Sequence, residues 1–258
     1  MGSSDVQGRL WGQASEDWLG VERFAVPSYE AVFDLLRIGA GVRLLDVGCG
    51  AGLALRMAVE RGADVTGLDA SEGLLDIARR RLPGADLRQG ELEELPYADA
   101  SFDAVTSFNA VQFAADPVAA LRETKRVTAP GGRVAVLTWG DPARCETRHV
   151  FEAIAELLPP PPAGAAGPFA LSAPGALEAL VQRAGLTPED DGEAEAPFTF
   201  PDVDSAVRIQ MSAGPFRCAI EVAGEDATRE TLRKAFAPAR QPDGSYRQEN
   251  VFRYLICR

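Results

Sequence analysis

The chain has a single histidine, His149, and four cysteines, Cys49, Cys145, Cys218 and Cys257, spread over 258 residues. Their spacing fits no metal-binding or redox pattern, so no metal site is expected. Dispersed thiols suit a reducing compartment, which makes the cytoplasm the expected location. No apolar run reaches membrane-spanning length and no secretory leader is visible, so a membrane partner is not expected. Dense basic tracts are missing too. Arg79-Arg80-Arg81 is short and closes a predicted helix, where cations suit the dipole. With a net charge of −12, nucleic acid is not an expected partner. There is no internal repeat. What remains is an ordinary globular composition, 46% hydrophobic and 25% charged, at a length that suits one α/β domain with an insertion or cap.

The stretch Leu44-Leu45-Asp46-Val47-Gly48-Cys49-Gly50-Ala51-Gly52 organises the rest. The run Val42 to Val47 reads as a buried parallel strand, because both faces are covered and alternation is lost. Gly48, Gly50 and Gly52 let the backbone turn tightly and approach a ligand. Leu53 to Arg61 then reads as a helix. Strand, glycine turn and helix N-terminus together suit an adenosine-type ligand at the carboxyl edge of a sheet. A dinucleotide fingerprint would need its third glycine where Leu53 stands, which disfavours a nicotinamide oxidoreductase. The next strand, Asp64–Asp69, ends in an acid about 20 residues beyond the loop, where nucleotide-binding α/β folds place a ribose acceptor. Asp69 could instead be a helix cap, but Ser71 is free for that role.

Strands and helices alternate onward. Helix Glu72–Leu82 is broken by Pro83-Gly84. Asp86–Gln89 is a short strand and Phe102–Phe108 the fourth. Asp116-Pro117 opens helix Val118–Thr128 by a cap-plus-proline signature. Pro130-Gly131-Gly132 reads as a turn before a fifth strand, Arg133–Trp139. Alternation of this kind implies a parallel, doubly wound sheet. Before it, Val21 to Leu36 reads as one or two helices. After it come helices at Arg148–Leu158, Pro174–Ala184, Val203–Ser212 and Ala227–Ala237. A strand lies within Leu186–Phe200 and a last one at Asn250–Cys257. The proline-rich stretch 159–168 is expected to be a mobile loop.

The glycine-loop stretch, Gly67-Leu68-Asp69-Ala70-Ser71, and Gly90-Glu91-Leu92-Glu93-Glu94-Leu95-Pro96-Tyr97 followed by Ser101-Phe102-Asp103-Ala104-Val105 resemble class I S-adenosylmethionine (SAM)-dependent methyltransferases. Among these, the group that includes the ubiquinone/menaquinone-biosynthesis enzymes is the nearest in character. The resemblance covers about residues 40 to 140 and keeps the motifs in order. It implies a Rossmann-like, mostly parallel seven-stranded sheet whose last strand inserts antiparallel beside the fifth. The organisation it implies is an N-terminal helical lid (1–40, with Trp11 to Trp18 over the cofactor), a SAM-binding core (41–140) and a substrate-binding cap with the last strands (141–258). It implies that Gly48, Cys49 and Gly50 border the methionine and ribose portions, Cys49 through its backbone. Asp46 would orient that end. Asp69 and Ala70 would meet the ribose, and Glu91-Leu92 the adenine. The family more often has Asp at Glu91. Asn109 and Gln112, after the fourth strand, would face the same crevice. The family's DNA N-methyltransferases carry an Asn/Asp-Pro-Pro-aromatic sequence there. Here Asn109-Ala110-Val111-Gln112 stands instead, so nucleic-acid bases are poor acceptors.

SAM already carries an activated methyl, so aligning the nucleophile is the main task. A base is needed only for an acceptor that keeps its proton. His149 is the expected base, since histidine titrates near neutrality. Its plainer alternative is a surface residue at a helix start. Tyr29, Tyr246 and Asp141 are further candidates, and Trp139 could line the acceptor pocket. The expectation is SAM-dependent methyl transfer to a small organic molecule, with oxygen the favoured acceptor atom, S-adenosylhomocysteine as product, and a monomer or homodimer. High Ala, Gly, Pro and Arg usage fits a GC-rich bacterial source and secondary metabolism. The rivals are a SAM-binding cyclase or hydroxylase of the same fold, or a non-catalytic SAM-binding partner.

Overall fold

Leu44, Leu45, Asp46 and Val47 are buried along β1 (Arg43–Val47), as a strand covered on both faces must be. In the computed structural model, which describes residues 4–159 and 167–258, β1 starts an alternating series. Helix α1 (Ser4–Gly12), α2 (Ser15–Glu22) and α3 (Val26–Leu36) precede it. Then come α4 (Leu53–Glu60), β2 (Asp64–Asp69), α5 (Glu72–Arg81), β3 (Asp86–Gln89) and β4 (Phe102–Phe108). Helix α6 (Pro117–Val127) starts where Asp116 accepts from the amides of Val118 and Ala119. Ser71 caps α5 by accepting from Leu74. Both caps fall where the sequence places them.

The fifth strand, β5, runs from Thr128 to Trp139. Pro130-Gly131-Gly132 is a bulge inside it rather than a turn before it. The register against β4 jumps from Thr128 to Arg133, and Gly131 takes φ +81°. Beyond it lie α7 (Thr147–Ala155), α8 (Ala176–Arg183), β6 (Pro188–Glu195) and β7 (Phe198–Phe200). The Leu186–Phe200 segment thus holds two strands, not one. Helices α9 (Val203–Gln210), α10 (Gly214–Ala223) and α11 (Glu225–Phe236) follow, then β8 (Tyr246–Gln248) and β9 (Val251–Cys257). Helix α10 has no counterpart in the sequence reading. The expected proline-rich loop falls largely on residues 160–166, outside the described residues.

The sheet order is β3-β2-β1-β4-β5-β9-β6. Strands β1 to β5 are parallel, β9 is antiparallel to β5, and β6 is antiparallel to β9. This is the expected mostly parallel, seven-stranded, doubly wound sheet. Strands β7 and β8 form a separate antiparallel pair. Leu44 packs with Phe33, Leu55 and Leu75 on one face. Leu45 and Val47 pack with Leu121, Leu177 and Val181 on the other. Connections run one way from β1 to β2 and β3, and the other way through β4 and β5. The switch between β1 and β4 opens a crevice at the strands' carboxyl ends. Helices α1 and α2 sit across that end, α1 against α5 and α10, and α2 against α5 and α9. Among the described residues, no helix is long and apolar enough to cross a membrane.

Candidate SAM site

The glycine loop is pinned from both sides. The amides of Gly48 and Cys49 donate to the Leu68 carbonyl at 2.7 and 3.0 Å. The Gly50 amide donates to Asp69 Oδ2 at 2.8 Å, and Asp69 Oδ1 accepts from the Ser71 amide at 2.8 Å. Asp69 therefore ties the first loop to the second while it borders the cavity. Gly48 has φ +78°, and a Cβ there would collide with that of Ala110. Only glycine satisfies both constraints.

Asp46 is 2% exposed and accepts from the Thr106 hydroxyl at 2.8 Å. Burial pushes its carboxyl up to about 7, opposed by the Thr106 hydrogen bond and reinforced by the Asp69 charge. Burial also raises Asp69, against the backbone amides that favour its ionised form. Two carboxyls held up by desolvation are primed to gain from a nearby cation.

One cavity collects most of the expected residues: Gly48, Gly50, Asp69, Ala70, Glu91, Leu92, Asn109 and Gln112 all line it. Asn109 takes φ +52°, a left-handed conformation that Asn tolerates. Its Oδ1 is buried without a hydrogen-bond partner, as are both polar atoms of Gln112. Buried polar atoms rarely go unpaired, so these mark where a polar ligand belongs. Gln89 fixes the Ala70 carbonyl at 2.9 Å. Glu91 accepts from the Ser4 amide at 3.2 Å and from the Ser4 hydroxyl, so α1 closes on the expected adenine end.

Three expected residues, Asp46, Cys49 and His149, are not among those that line the cavity. The Cys49 side chain is buried beside Gly67, away from the cavity, and its amide is already spent on Leu68. Cys49 shapes the loop and does not line the site. His149, the expected base, stands on the surface and not on the cavity lining. Helix α7 buries Thr147, Val150 and Ile154, and helical phase turns His149 to the opposite side. Its side chain is 56% exposed with Nδ1 3.2 Å from Glu152. Tyr246 and Asp141 are also absent from the lining. Asp141 is exposed and accepts from the Ala143 amide.

Tyr29 and Trp139 do border the cavity. Tyr29 stacks on Phe108, ring centroids 4.7 Å apart. Its phenol is pushed up by burial and by the carboxyls of Asp46 and Glu22. Trp139 meets Phe252 at 4.7 Å and Phe198 at 5.9 Å. From α1 and α2 come Trp11 and Trp18, edge to face at 4.8 Å, with Trp11 also against Phe113 at 5.5 Å. Glu22, 6% exposed, lines the cavity and pairs with Arg81 at 2.5 Å. Arg81 also donates to the Ala51 carbonyl at 2.9 Å. Glu22, Gln210, Phe198 and Phe252 carry no motif, and the sequence reading did not single them out as site residues.

The glycine-loop residues Gly48, Gly50 and Asp69 and the rings of Tyr29, Trp139 and Phe252 border one and the same cavity.

Residues 45–136 match the family described as "Methyltransferase domain". The chain is 35% identical over 141 residues to a demethylmenaquinone methyltransferase of Renibacterium salmoninarum, covering 48% of this chain and 60% of that protein. It is 34% identical over 185 residues to a malonyl-[acyl-carrier protein] O-methyltransferase of Erwinia pyrifoliae, covering 72% of this chain and 66% of that one. The chain thus spans just under two thirds of these relatives. A crystal structure of a putative methyltransferase from Bacillus halodurans superposes with a TM-score of 0.60 at 17% identity, over 89% of this chain and 97% of that one. This likeness is one of fold. Sheet order, glycine loop and matched domain agree, and the chain belongs to the class I S-adenosylmethionine-dependent methyltransferases.

Proposed function

We propose that the protein transfers the methyl group of SAM to a small organic molecule, at an oxygen atom. One observation carries the reading: the glycine-loop end and an aromatic chamber belong to a single cavity. A donor held at Gly48, Gly50 and Asp69 would share that space with an acceptor held against Tyr29, Trp139 and Phe252. Bound SAM supplies a methyl already activated on a sulfonium. The chain's own part is to bind, orient and keep out water.

Glu22, Asp69 and Glu91 give the lining a negative potential, which favours a cationic cofactor. Asn109 and Gln112 offer unpaired polar atoms to it. Residues 1–40 act as the lid, residues 41–140 as the SAM-binding core, and residues 141–258 supply the acceptor wall with the last strands. What supports oxygen is Glu22, a buried carboxyl on the lid side of the cavity that can accept from a hydroxyl. With His149 on the surface, alignment carries the rate, and the acceptor proton leaves to a lining carboxylate or to solvent. The composition supports a setting in bacterial secondary metabolism.

The test is incubation with methyl-labelled SAM and a panel of hydroxylated ring compounds, with products analysed by mass. Label on a product oxygen is expected. A SAM-bound protein that changes an acceptor without transferring label would instead be a cyclase or hydroxylase of this fold. Failure to bind SAM or S-adenosylhomocysteine would sink the reading.

A further inference from the structure

The far wall of the cavity carries a polar group with no function assigned above. Gln210 ends α9, is 3% exposed, and borders the cavity. Its side-chain Oε1 is buried with no hydrogen-bond partner. The backbone fixes its place: the Gln210 carbonyl accepts from the Ala213 amide at 3.2 Å, and Ala213 and Pro215 continue the same wall. A buried carboxamide left unpaired among rings is costly unless something completes it. Helix α9 packs on α2 and on β7, so Gln210 stands with the lid and with Phe198 around the acceptor end.

The charge of this lining is as telling. Among the described residues that border the cavity none is Lys, Arg or His, whereas Glu22, Asp69 and Glu91 are acids. Arg81 is close by but is committed to Glu22 and the Ala51 carbonyl. A carboxylate or phosphate brought here would lose water without gaining a cation from the lining. A flat ring has the opposite experience. Tyr29, Phe108, Trp139, Phe198 and Phe252 offer faces and edges at the ring spacings aromatic groups prefer.

We propose that the acceptor is an uncharged, ring-bearing molecule whose hydroxyl donates to Gln210, and that Gln210, with the absence of any cationic lining residue, selects it over acidic analogues. The proposal rests on the methyl-transfer reading for the word acceptor, but its binding claim stands apart from turnover. Gln210 is a positioning and specificity residue: the hydroxyl it holds is a second one on the ring system, not the oxygen that takes the methyl group.

The experiment is calorimetric titration of the S-adenosylhomocysteine-saturated protein with three matched probes: 2-naphthol, naphthalene-2-carboxylate and naphthalene. Naphthol is expected to bind roughly tenfold or more tighter than the carboxylate and tighter than naphthalene. In Gln210→Leu, naphthol should weaken by roughly tenfold, to about the level of naphthalene, while S-adenosylhomocysteine affinity is unchanged. The wild-type comparison of naphthol with carboxylate needs no variant and decides the matter if Gln210→Leu does not fold. A carboxylate that binds as well as naphthol overturns the proposal, as does a folded Gln210→Leu that keeps naphthol affinity, or failure of all three probes to bind. If S-adenosylhomocysteine itself does not bind, the methyl-transfer reading falls. The probe titrations, repeated without it, then judge this inference alone.

Discussion

Asp69 serves two masters. It holds the Gly50 and Ser71 amides, and it borders the space where a ribose would lie. Asp69→Ala should therefore weaken S-adenosylhomocysteine binding by roughly 1–3 kcal/mol, measured by calorimetry. Undiminished affinity would remove Asp69 from the cofactor site. Asp46 makes a pH-dependent prediction. Its carboxyl, ordinarily at 3.8, is raised in the fold to about 7. The stability linked to that shift is full below the unfolded value and is lost as pH rises through about 7, because the folded state then must bury a charge. Asp46→Asn keeps a partner for Thr106 and has no charge to bury. Its melting temperature should gain on that of the wild type as pH goes from about 4 to about 8. An unchanging gap would mean that Asp46 is not desolvated. His149→Ala, by contrast, should leave turnover and cofactor affinity near normal, since the imidazole faces Glu152 and solvent. A loss of roughly 10²-fold or more would restore His149 as a base and imply a different arrangement of α7.

At the scale of elements, the lid is the part with the closest fit. A Cβ on Gly8 would run into the Ala70 carbonyl, and Gly12 lies against Gly73. Helix α1 thus meets the start of α5 backbone to backbone, with Ser4 reaching Glu91. Gly8→Val should hold α1 off this turn and speed S-adenosylhomocysteine release, seen by stopped-flow tryptophan fluorescence through Trp11 and Trp18. An unaltered release rate would mean that α1 does not gate the site. How far such elements are legible in the sequence depends on range. The glycine loop, Asp69 and the Asp116 cap could be read because local backbone demands are written in residue type at short spacing. The bulge at Pro130-Gly131-Gly132 was harder, because turn residues serve a bulge as well as a turn. The acceptor wall was not legible. Tyr29, Trp139, Phe198, Gln210 and Phe252 are scattered along the chain, and only the fold brings them together. His149 shows the converse case. Its residue type invites a catalytic role, yet the apolar phase of Thr147, Val150 and Ile154 already turns it outward.

For the whole molecule, a net charge of −12 sets the terms of association. Most of the arginines are tied to carboxylates on the surface, among them Arg43 to Asp103, Arg79 to Glu72 and Arg247 to Glu249. Such exposed pairs add little stability each, but they leave few cations to track a phosphate backbone. Affinity for nucleic acid is governed by the number of phosphates neutralised and falls steeply with salt. A surface whose positive charges are already paired has little to offer that term. Binding of cofactor is different in kind. The carboxyls that meet it are enclosed, and enclosed charges are screened less by salt than exposed ones. Two results should therefore appear together. Duplex and single-stranded DNA should not be retained at physiological ionic strength in a gel-shift assay. S-adenosylhomocysteine affinity should change by less than about threefold between roughly 0.05 and 0.2 M salt, where a protein neutralising several phosphates loses orders of magnitude. Retention of nucleic acid with a steep salt slope would show that a basic surface had been overlooked and would reopen macromolecular acceptors. A steep slope for S-adenosylhomocysteine alone would place the cofactor in an open, solvent-screened groove, contrary to the enclosed cavity between the sheet edge and α1 and α2.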